Sequence, residues 1–154
     1  RYPEFPTSAV ELEITERGDG IDTAGFQAIV ERFHACGLRL GLDDFGSQYA
    51  NLPLFTNVKF DTVKLDRSLI ADVASNPINR TLVQDIVRIC RTYGIDCVAE
   101  GVETQAQVDA LLEMDCFHAQ GFYYDRPLPA EVFEEKYLRG GASAESDVKE
   151  EKRI

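Results

Sequence analysis

Apolar and polar residues follow two different rhythms along the chain, one typical of strands and the other typical of helices. Period-two alternation predicts a first strand at residues 10–15, and short apolar runs predict further strands at 39–43, 60–66, 96–100 and 117–123. Between these runs, apolar residues recur every three or four positions, as they do on the buried face of a helix. The pattern therefore predicts an alternation of strand and helix through five repeats.

The predicted helices have residues that favour helix starts and stops. Gly37 ends the first helix, Pro77 lies in the first turn of the clearest one, and Gly94 ends it. Thr104 and Gln107 have the spacing of a capping box at the start of another helix. The residues predicted on the apolar faces of these helices are Phe26, Ile29, Val30, Phe33, Leu82, Val83, Ile86, Ile89, Cys90, Tyr93, Val108, Leu111 and Leu112.

Alternating strands and helices predict an α/β fold with a parallel sheet and right-handed crossovers. A (β/α)8 barrel needs eight such units and about 250 residues, whereas this chain has five units in 154 residues. We therefore expect a TIM-barrel-like fold of which the chain supplies about the last five β/α units, with an open five-stranded sheet as the alternative. Residues 1–8 are interpreted as a lead-in, 9–138 as the domain portion and 139–154 as a charged, flexible tail.

Composition and charge narrow the class of protein. A net charge of −11 argues against binding of nucleic-acid polymers by charge alone. No apolar run approaches the length of a membrane span and no signal peptide is visible, so we expect a cytoplasmic segment without membrane contact, although the parent protein could be membrane-tethered. Because the chain begins at Arg1 and its only methionine is Met114, we expect it to be a piece of a larger protein.

The cysteines favour a reducing compartment. None of the four belongs to a Cys-x-x-Cys pair, and each lies in or beside an apolar segment. They are therefore predicted to be buried free thiols, at Cys36, Cys90, Cys97 and Cys116.

Polar residues lie where each predicted strand ends. Two adjacent carboxylates, Asp43 and Asp44, follow an alternating apolar strand and precede Gly46. Adjacent carboxylates repel each other unless a cation lies between them, although an acidic turn that caps a helix is an alternative. The other polar residues at strand ends are Glu13, Glu16, Lys64, Asp66, Glu100, Glu103 and Gln120. Since the carboxyl ends of parallel strands share one face, we expect these groups to converge there.

A cluster of this composition favours hard cations. Carboxylate oxygens suit Mg²⁺, Mn²⁺ or Ca²⁺, whereas a zinc site favours thiolate and imidazole ligands. Two such ions about 3.5–4 Å apart activate water and stabilise the leaving oxygen in phosphoester hydrolysis. Asp43 and Asp44 could each bind a different ion. Lys64 could hold a phosphate oxygen or the attacking water, or it could be a structural lysine in salt bridges.

Five short motifs, in order and at similar spacing, resemble those of the EAL domain family over roughly residues 9–138. The motifs are Glu13-Ile14-Thr15-Glu16, Asp43-Asp44-Phe45-Gly46, Lys64-Leu65-Asp66-Arg67-Ser68, Val98-Ala99-Glu100-Gly101-Val102-Glu103-Thr104 and Gln120-Gly121-Phe122. Five motifs in order are far more specific than one short pattern. The resemblance implies a TIM-barrel-like, bacterial cyclic di-GMP phosphodiesterase that produces linear pGpG with Mg²⁺ or Mn²⁺ in a two-metal site and acts in signal transduction.

The resemblance also implies a role for each matching residue. Glu13 and Asp43 resemble ligands of the first metal, and Asp44 resembles a ligand of the second. Lys64 resembles the lysine that holds the nucleophilic water, and Glu100 resembles the essential acid that acts as metal ligand or general base. The residues that resemble supporting parts of the site are Asp66 and Glu103 beside the catalytic groups, Glu16 in support of the loop after Asp44, and Gln120.

Two departures from the family pattern lead to alternative hypotheses. The Glu-Ala-Leu signature and an early asparagine ligand are absent, and both would belong to strands before Arg1. The loop after Asp44 has Gln48 in place of a glycine, and in the family this loop is linked to dimerisation. We expect cyclic di-GMP as the ligand and a homodimer. The alternatives are a degenerate domain that binds cyclic di-GMP or a protein partner without cleavage, and an inactive truncated fragment.

Overall fold

A computed structural model of the chain describes residues 6–15, 23–47 and 52–139. The strands are β1 (Glu11–Thr15), β2 (Arg39–Phe45), β3 (Thr62–Leu65), β4 (Asp96–Ala99) and β5 (His118–Ala119). The helices are α1 (Thr23–Ala35), α2 (Leu52–Asn57), α3 (Arg67–Ile70), α4 (Pro77–Tyr93), α5 (Gln105–Glu113) and α6 (Ala130–Phe133). The chain divides into two compact units, Arg1–Tyr124, which contains the sheet, and Asp125–Ile154.

The five strands form one parallel sheet in sequence order, β1-β2-β3-β4-β5. Each crossover contains at least one helix, with α1 between β1 and β2, α2 between β2 and β3, α3 and α4 between β3 and β4, and α5 between β4 and β5. The predicted α/β fold with a parallel sheet is therefore confirmed. In this arrangement the carboxyl ends of all five strands lie at the same end of the sheet.

The core is built from apolar side chains of the strands and of the helices that pack on them. α1 packs against β2, and α4 packs against β4. The buried residues that form this core include Leu40, Leu42, Val63, Leu65 and Ala99 from the strands and Val30, Val83, Val87 and Leu111 from the helices. Full burial of one such Val or Leu side chain contributes about 1.5–3 kcal/mol relative to its exposure.

α4 begins at Pro77, the predicted first-turn proline, and α5 begins at the predicted capping box. The Asn76 side chain accepts a hydrogen bond from the first-turn backbone of α4 at 2.9 Å, and Gly94 ends that helix with a φ of +69°. At α5, Gln107 N–H donates to Thr104 Oγ1, and Gln107 Oε1 accepts from Thr104 N–H at 2.9 Å. The buried Gln107 also donates to the Ile70 carbonyl at 3.2 Å, so this capping box joins α5 to the end of α3.

The helix faces are less fully buried than their spacing predicts. Five apolar positions predicted on buried faces are exposed, at Ile29, Leu82, Ile89, Tyr93 and Leu112. Their sequence neighbours Val30, Val83 and Leu111 are buried. A three-to-four spacing defines an apolar stripe about 100° wide, and only part of that stripe is buried in these helices. Within the described ranges, no helix has the length and apolar character that a membrane span requires.

β5 is much shorter than the predicted strand at 117–123. Only His118 and Ala119 pair with β4, and the chain then turns beside Val102. The turn depends on Gly121, because a Cβ there would lie 2.1 Å from the Val102 carbonyl oxygen. The Tyr123 backbone N–H donates to that carbonyl at 3.0 Å, which holds the turn in place.

The cysteines divide into one exposed and three buried thiols. Cys90, Cys97 and Cys116 are free and buried, as predicted. Cys36 is exposed, so the prediction of a buried thiol is wrong there. Cys36 lies in the turn between α1 and β2 rather than on the buried stripe of the helix.

A polar network joins four strands at their amino ends. Arg39 of β2 donates to Thr62 Oγ1 of β3 at 3.1 Å and to Asp96 Oδ2 of β4 at 2.5 Å. Its Nε lies 3.3 Å from Glu11 Oε2 of β1, and Thr62 Oγ1 donates to the same oxygen at 2.6 Å. Arg39 therefore fixes the register of the sheet at the end opposite to the predicted site.

The second unit is helical in its described part. α6 follows Pro129 and continues as a π-helical turn through Glu134–Arg139. The Asp125 carboxylate accepts hydrogen bonds from Lys136 and from the Tyr137 hydroxyl, the latter at 2.8 Å. Residues 140–154, which form most of the predicted tail, lie outside the described residues.

Candidate functional site

An extra residue in β2 places two adjacent carboxylates at the same end of the sheet. Between Leu42 and Phe45, β2 has one residue more than the paired stretch of β3, and Asp44 has a φ of +56°. Successive side chains of a regular strand point to opposite faces, and a β-bulge changes this alternation. Asp is among the few residues besides glycine that adopt this left-handed backbone with some ease. The prediction that β2 ends at Asp43 is wrong, because the bulge carries the strand on to Phe45.

Three carboxylates converge at the carboxyl ends of β2 and β4. Asp43, Asp44 and Glu100 each offer one oxygen, and these oxygens all lie within 4.8 Å of one another. Glu100 follows β4 directly, and its backbone N–H donates to the Leu65 carbonyl at 3.1 Å, which holds it beside β3. In the described part of the chain, no other set of three His, Cys, Asp or Glu side chains converges in this way. The structure thus brings together three of the four predicted metal ligands.

Lys64 of β3 lies between the carboxylates of the neighbouring strands. Its Nζ is 2.8 Å from Glu100 Oε1, 2.9 Å from Glu13 Oε1 and 3.0 Å from Asp43 Oδ1, and its side chain is 12% exposed. Burial by itself lowers the pKa of Lys64, but the contacts with Glu100, Glu13 and Asp43 outweigh burial and hold the pKa above its ordinary value. Lys64 is therefore a fixed positive charge within the cluster.

The surroundings of Glu100 change the pKa of its carboxyl group. Burial raises its pKa, and the negative charges of Asp43 and Asp44 add to that rise. Lys64 acts in the opposite direction, but the pKa of Glu100 stays above its ordinary value. Gln120 Nε2 donates to Glu100 Oε1 at 2.7 Å, so this predicted support residue contacts the cluster directly.

The cluster has the chemistry of a site for hard divalent cations. Three carboxylates contact the Lys64 ammonium, and Asp44 lies beside two of them, so four carboxylates and one ammonium leave three formal negative charges. Asp43 Oδ1 is buried and lies 3.0 Å from Lys64 Nζ, yet it accepts no well-directed hydrogen bond from the described residues. Such an oxygen has a free lone pair, and oxygen ligands of this kind suit Mg²⁺, Mn²⁺ or Ca²⁺. The residues present therefore fit a divalent metal.

The remaining predicted site residues make other contacts. Glu13 lies outside the group of three carboxylates and reaches it through Lys64. Asp66 is the cap of α3, where its Oδ1 accepts from Ser68 N–H at 2.9 Å. Glu103 is exposed, and its backbone N–H donates to the Gln107 side chain at 2.8 Å. Glu16 and the altered loop at 48–51 lie outside the described residues.

A positioning residue that sequence reasoning did not single out is Gly101, which follows Glu100. Its φ is +69°, and a Cβ at this position would lie 2.6 Å from the Cβ of Arg67, the first residue of α3. Gly101 therefore lets the segment after β4 pass close to α3 and sets the direction in which Glu100 points. The signal available in the sequence was the glycine directly after a strand-end acid.

Comparison with known proteins connects this site with one family. A family model described as the EAL domain matches residues 2–127. The crystal structure of the EAL domain of Mycobacterium smegmatis DcpA is similar with a TM-score of 0.82 at 33% identity, over 89% of this chain and 61% of that chain. Klebsiella pneumoniae BlrP1, in a manganese/cy-diGMP complex, has a TM-score of 0.74 at 31% identity, over 80% of this chain and 32% of that chain.

Curated relatives extend the comparison to longer proteins. Cyclic di-GMP phosphodiesterase RocR of Pseudomonas aeruginosa is 34% identical over 129 residues, which are 84% of this chain and 33% of RocR. The chain spans only 16% to 33% of the length of the curated relatives it matches. Its parallel α/β sheet and its structural neighbours identify the fold as TIM-barrel-like. From the family model over residues 2–127, the shared fold and the 34% identity with RocR, we conclude that the chain belongs to the EAL domain family.

Proposed function

We propose that the protein containing this chain is a metal-dependent phosphodiesterase that hydrolyses cyclic di-GMP to linear pGpG. The observation that carries the proposal is the convergence of Asp43, Asp44 and Glu100 oxygens within 4.8 Å of one another, beside the Lys64 ammonium. Two relatives support the choice of substrate. RocR is named a cyclic di-GMP phosphodiesterase, and BlrP1 was solved with manganese and the cyclic dinucleotide.

The described residues suggest how the site would work. Asp43, Asp44 and Glu100, together with Glu13, would hold Mg²⁺ or Mn²⁺, which when bound acidifies water and stabilises the leaving oxygen of the phosphodiester. Lys64 remains charged and binds the attacking water or a phosphate oxygen. Gln120 donates to Glu100 Oε1 at 2.7 Å and so keeps this carboxylate turned toward the cluster.

The other predicted residues have supporting roles in this proposal. Asp66 positions the site through the cap of α3, which packs against Gly101 next to Glu100. Glu103 supports the same segment from the other side of Gly101. Glu16 is proposed to steady the loop after Asp44.

The proposal also covers location, assembly and boundaries. Three buried free thiols are typical of a reducing compartment and support a cytoplasmic location. A homodimer is also proposed, because the family resemblance links the loop after Asp44 to dimerisation. Residues 9–138 are proposed as the portion of the EAL domain present here, between a lead-in at 1–8 and a tail at 139–154.

Turnover of cyclic di-GMP tests the proposed function. The assay follows pGpG with Mn²⁺ and with Mg²⁺, for this chain and for a version extended upstream by about 100 residues, the shortfall from a full barrel. We expect pGpG from the extended version and none from either version after Asp43→Asn. Binding of cyclic di-GMP by the extended version without pGpG formation would contradict the enzyme and favour a receptor. If this chain neither binds nor cleaves cyclic di-GMP while the extended version produces pGpG, the chain by itself is an inactive fragment of the catalytic domain.

A further inference from the structure

Lys64 occupies the position of a cation among the proposed metal ligands. Its Nζ contacts Glu100, Glu13 and Asp43 at 2.8–3.0 Å, and its side chain is only 12% exposed. Charges in such a partly buried position are weakly screened by water and salt. One ammonium therefore provides much of the attraction that keeps these like-charged groups together.

The carboxylates that contact Lys64 are also proposed ligands of the divalent ion. An ion bound to Asp43 would lie about 2.0–2.6 Å from its ligand oxygens, while Lys64 Nζ already lies 3.0 Å from Asp43 Oδ1. Two cations that contact the same carboxylate lie close together and therefore repel each other. Glu13 is the predicted ligand that lies outside the three-carboxylate group, and it contacts Lys64 instead.

We propose that Lys64 is the internal counter-cation of the metal-free site and that a divalent ion binds by taking these carboxylates over from it. The displaced ammonium stays charged and becomes available to a water or a phosphate oxygen only after the ion has entered. Release of Lys64 also frees Glu13 to join the other ligands. This inference rests on the proposed function only in taking the cluster as a metal site, and it holds whether or not cyclic di-GMP is cleaved.

The first test compares Lys64→Met with Lys59→Met in the full chain. Lys59 is exposed, so Lys59→Met makes the same change of side chain and removes the same charge at a site away from the cluster. Mn²⁺ binding is measured by calorimetry, and thermal unfolding is followed with EDTA and with Mn²⁺. Because Lys64→Met removes a competing cation, we expect its Kd for Mn²⁺ to fall about tenfold, with Lys59→Met within about twofold of the unchanged chain.

The unfolding midpoints distinguish this effect from a general change in stability. In EDTA we expect Lys64→Met to unfold at a lower temperature than Lys59→Met, because its carboxylates then repel each other without a counter-cation. Mn²⁺ should raise the midpoint of Lys64→Met by more than that of the unchanged chain. Equal or weaker Mn²⁺ binding by a folded Lys64→Met variant would overturn the proposal.

A second measurement uses the unchanged chain and so does not depend on the folding of any variant. The ammonium groups are labelled with ¹⁵N-lysine and observed by NMR during titration with diamagnetic Mg²⁺. We expect the Lys64 signal to shift with the same midpoint as Mg²⁺ binding measured by calorimetry. Binding of Mg²⁺ with an unchanged Lys64 signal would overturn the proposal, and metal binding without turnover would contradict only the proposed function.

Discussion

Gly94 and Gly101 share one backbone conformation, with a φ of +69°, but they differ in their surroundings. A Cβ at Gly94 would meet nothing within 4 Å, whereas at Gly101 it would lie 2.6 Å from Arg67 Cβ. We expect Gly94→Ala to lower the free energy of unfolding by about 1–2 kcal/mol through left-handed strain alone. Gly101→Ala should lower the free energy of unfolding by about 1–3 kcal/mol more than Gly94→Ala does, because the added Cβ overpacks against Arg67. Urea denaturation measures both values.

The two glycines form a matched pair because the strain from φ is the same in both. Gly101→Ala should also weaken Mn²⁺ binding, since it displaces the neighbouring Glu100, whereas Gly94→Ala should leave Mn²⁺ binding unchanged. Equal stability losses would mean that Arg67 moves aside at no cost. The left-handed stop at Gly94 was predictable from its place after a helix, but the contact of Gly101 with Arg67 was not, because it joins two distant segments.

At the scale of elements, Arg39 connects β2 with β1, β3 and β4. We expect Arg39→Met to lower the free energy of unfolding by about 1–2 kcal/mol, because it leaves charged partners on neighbouring strands without a donor. The control is Arg88→Met, which removes an exposed i,i+3 pair with Asp85 within α4 and should cost no more than about 0.5 kcal/mol. Urea denaturation of both variants measures the difference. Similar losses would show that the network adds nothing beyond an ordinary surface pair.

Asp61 joins α1, β2 and the start of β3. Its Oδ2 accepts from Leu40 N–H at 2.8 Å and lies 2.9 Å from His34 Nε2. Partial burial raises the pKa of Asp61, but the hydrogen bonds from Leu40 and His34 outweigh burial and hold the pKa below its ordinary value. Because its pKa is lower in the folded state, folding favours the ionised form of Asp61.

The lowered pKa of Asp61 predicts a pH dependence of stability. Its stabilising contribution is fully present above the ordinary carboxyl pKa of about 4 and is lost as pH falls through the lower value in the folded state. We expect Asp61→Asn to be less stable than the unchanged chain at pH 7, with a difference that shrinks toward pH 3. Urea denaturation across this range measures it. A difference that stays constant or grows at low pH would contradict this assignment.

The sequence predicts the order of strands and helices better than it predicts where each strand ends. The alternation of strands and helices depends on local periodicity and caps, and both Thr104 and Gln107 act as their spacing predicted. β5 ends early because Gly121 packs on the Val102 backbone, which is a contact with the preceding crossover. The extra residue of β2 at Asp44 likewise exists only relative to its partner strand β3.

At the scale of the whole molecule, the fold separates one accessible thiol from three protected ones. We expect a thiol reagent to modify one of the four cysteines in the native chain, at Cys36, and all four in concentrated guanidinium chloride. Burial excludes the reagent from Cys90, Cys97 and Cys116. Spectrophotometric titration counts the modified thiols, and Cys36→Ser should leave none reactive in the native state. Two or more reactive native thiols would contradict the described packing.

By itself, the sequence determined the order of strands and helices, the parallel α/β class and the placement of acids after apolar strands. These follow from local periodicity, from caps and from the rule that parallel strands end on one face. Only the tertiary structure decided that Asp43, Asp44 and Glu100 converge, that Lys64 lies among them, and that Glu13 contacts the cluster through Lys64. Such distances depend on a bulge and on the pairing of strands far apart in the chain, and no local pattern encodes either.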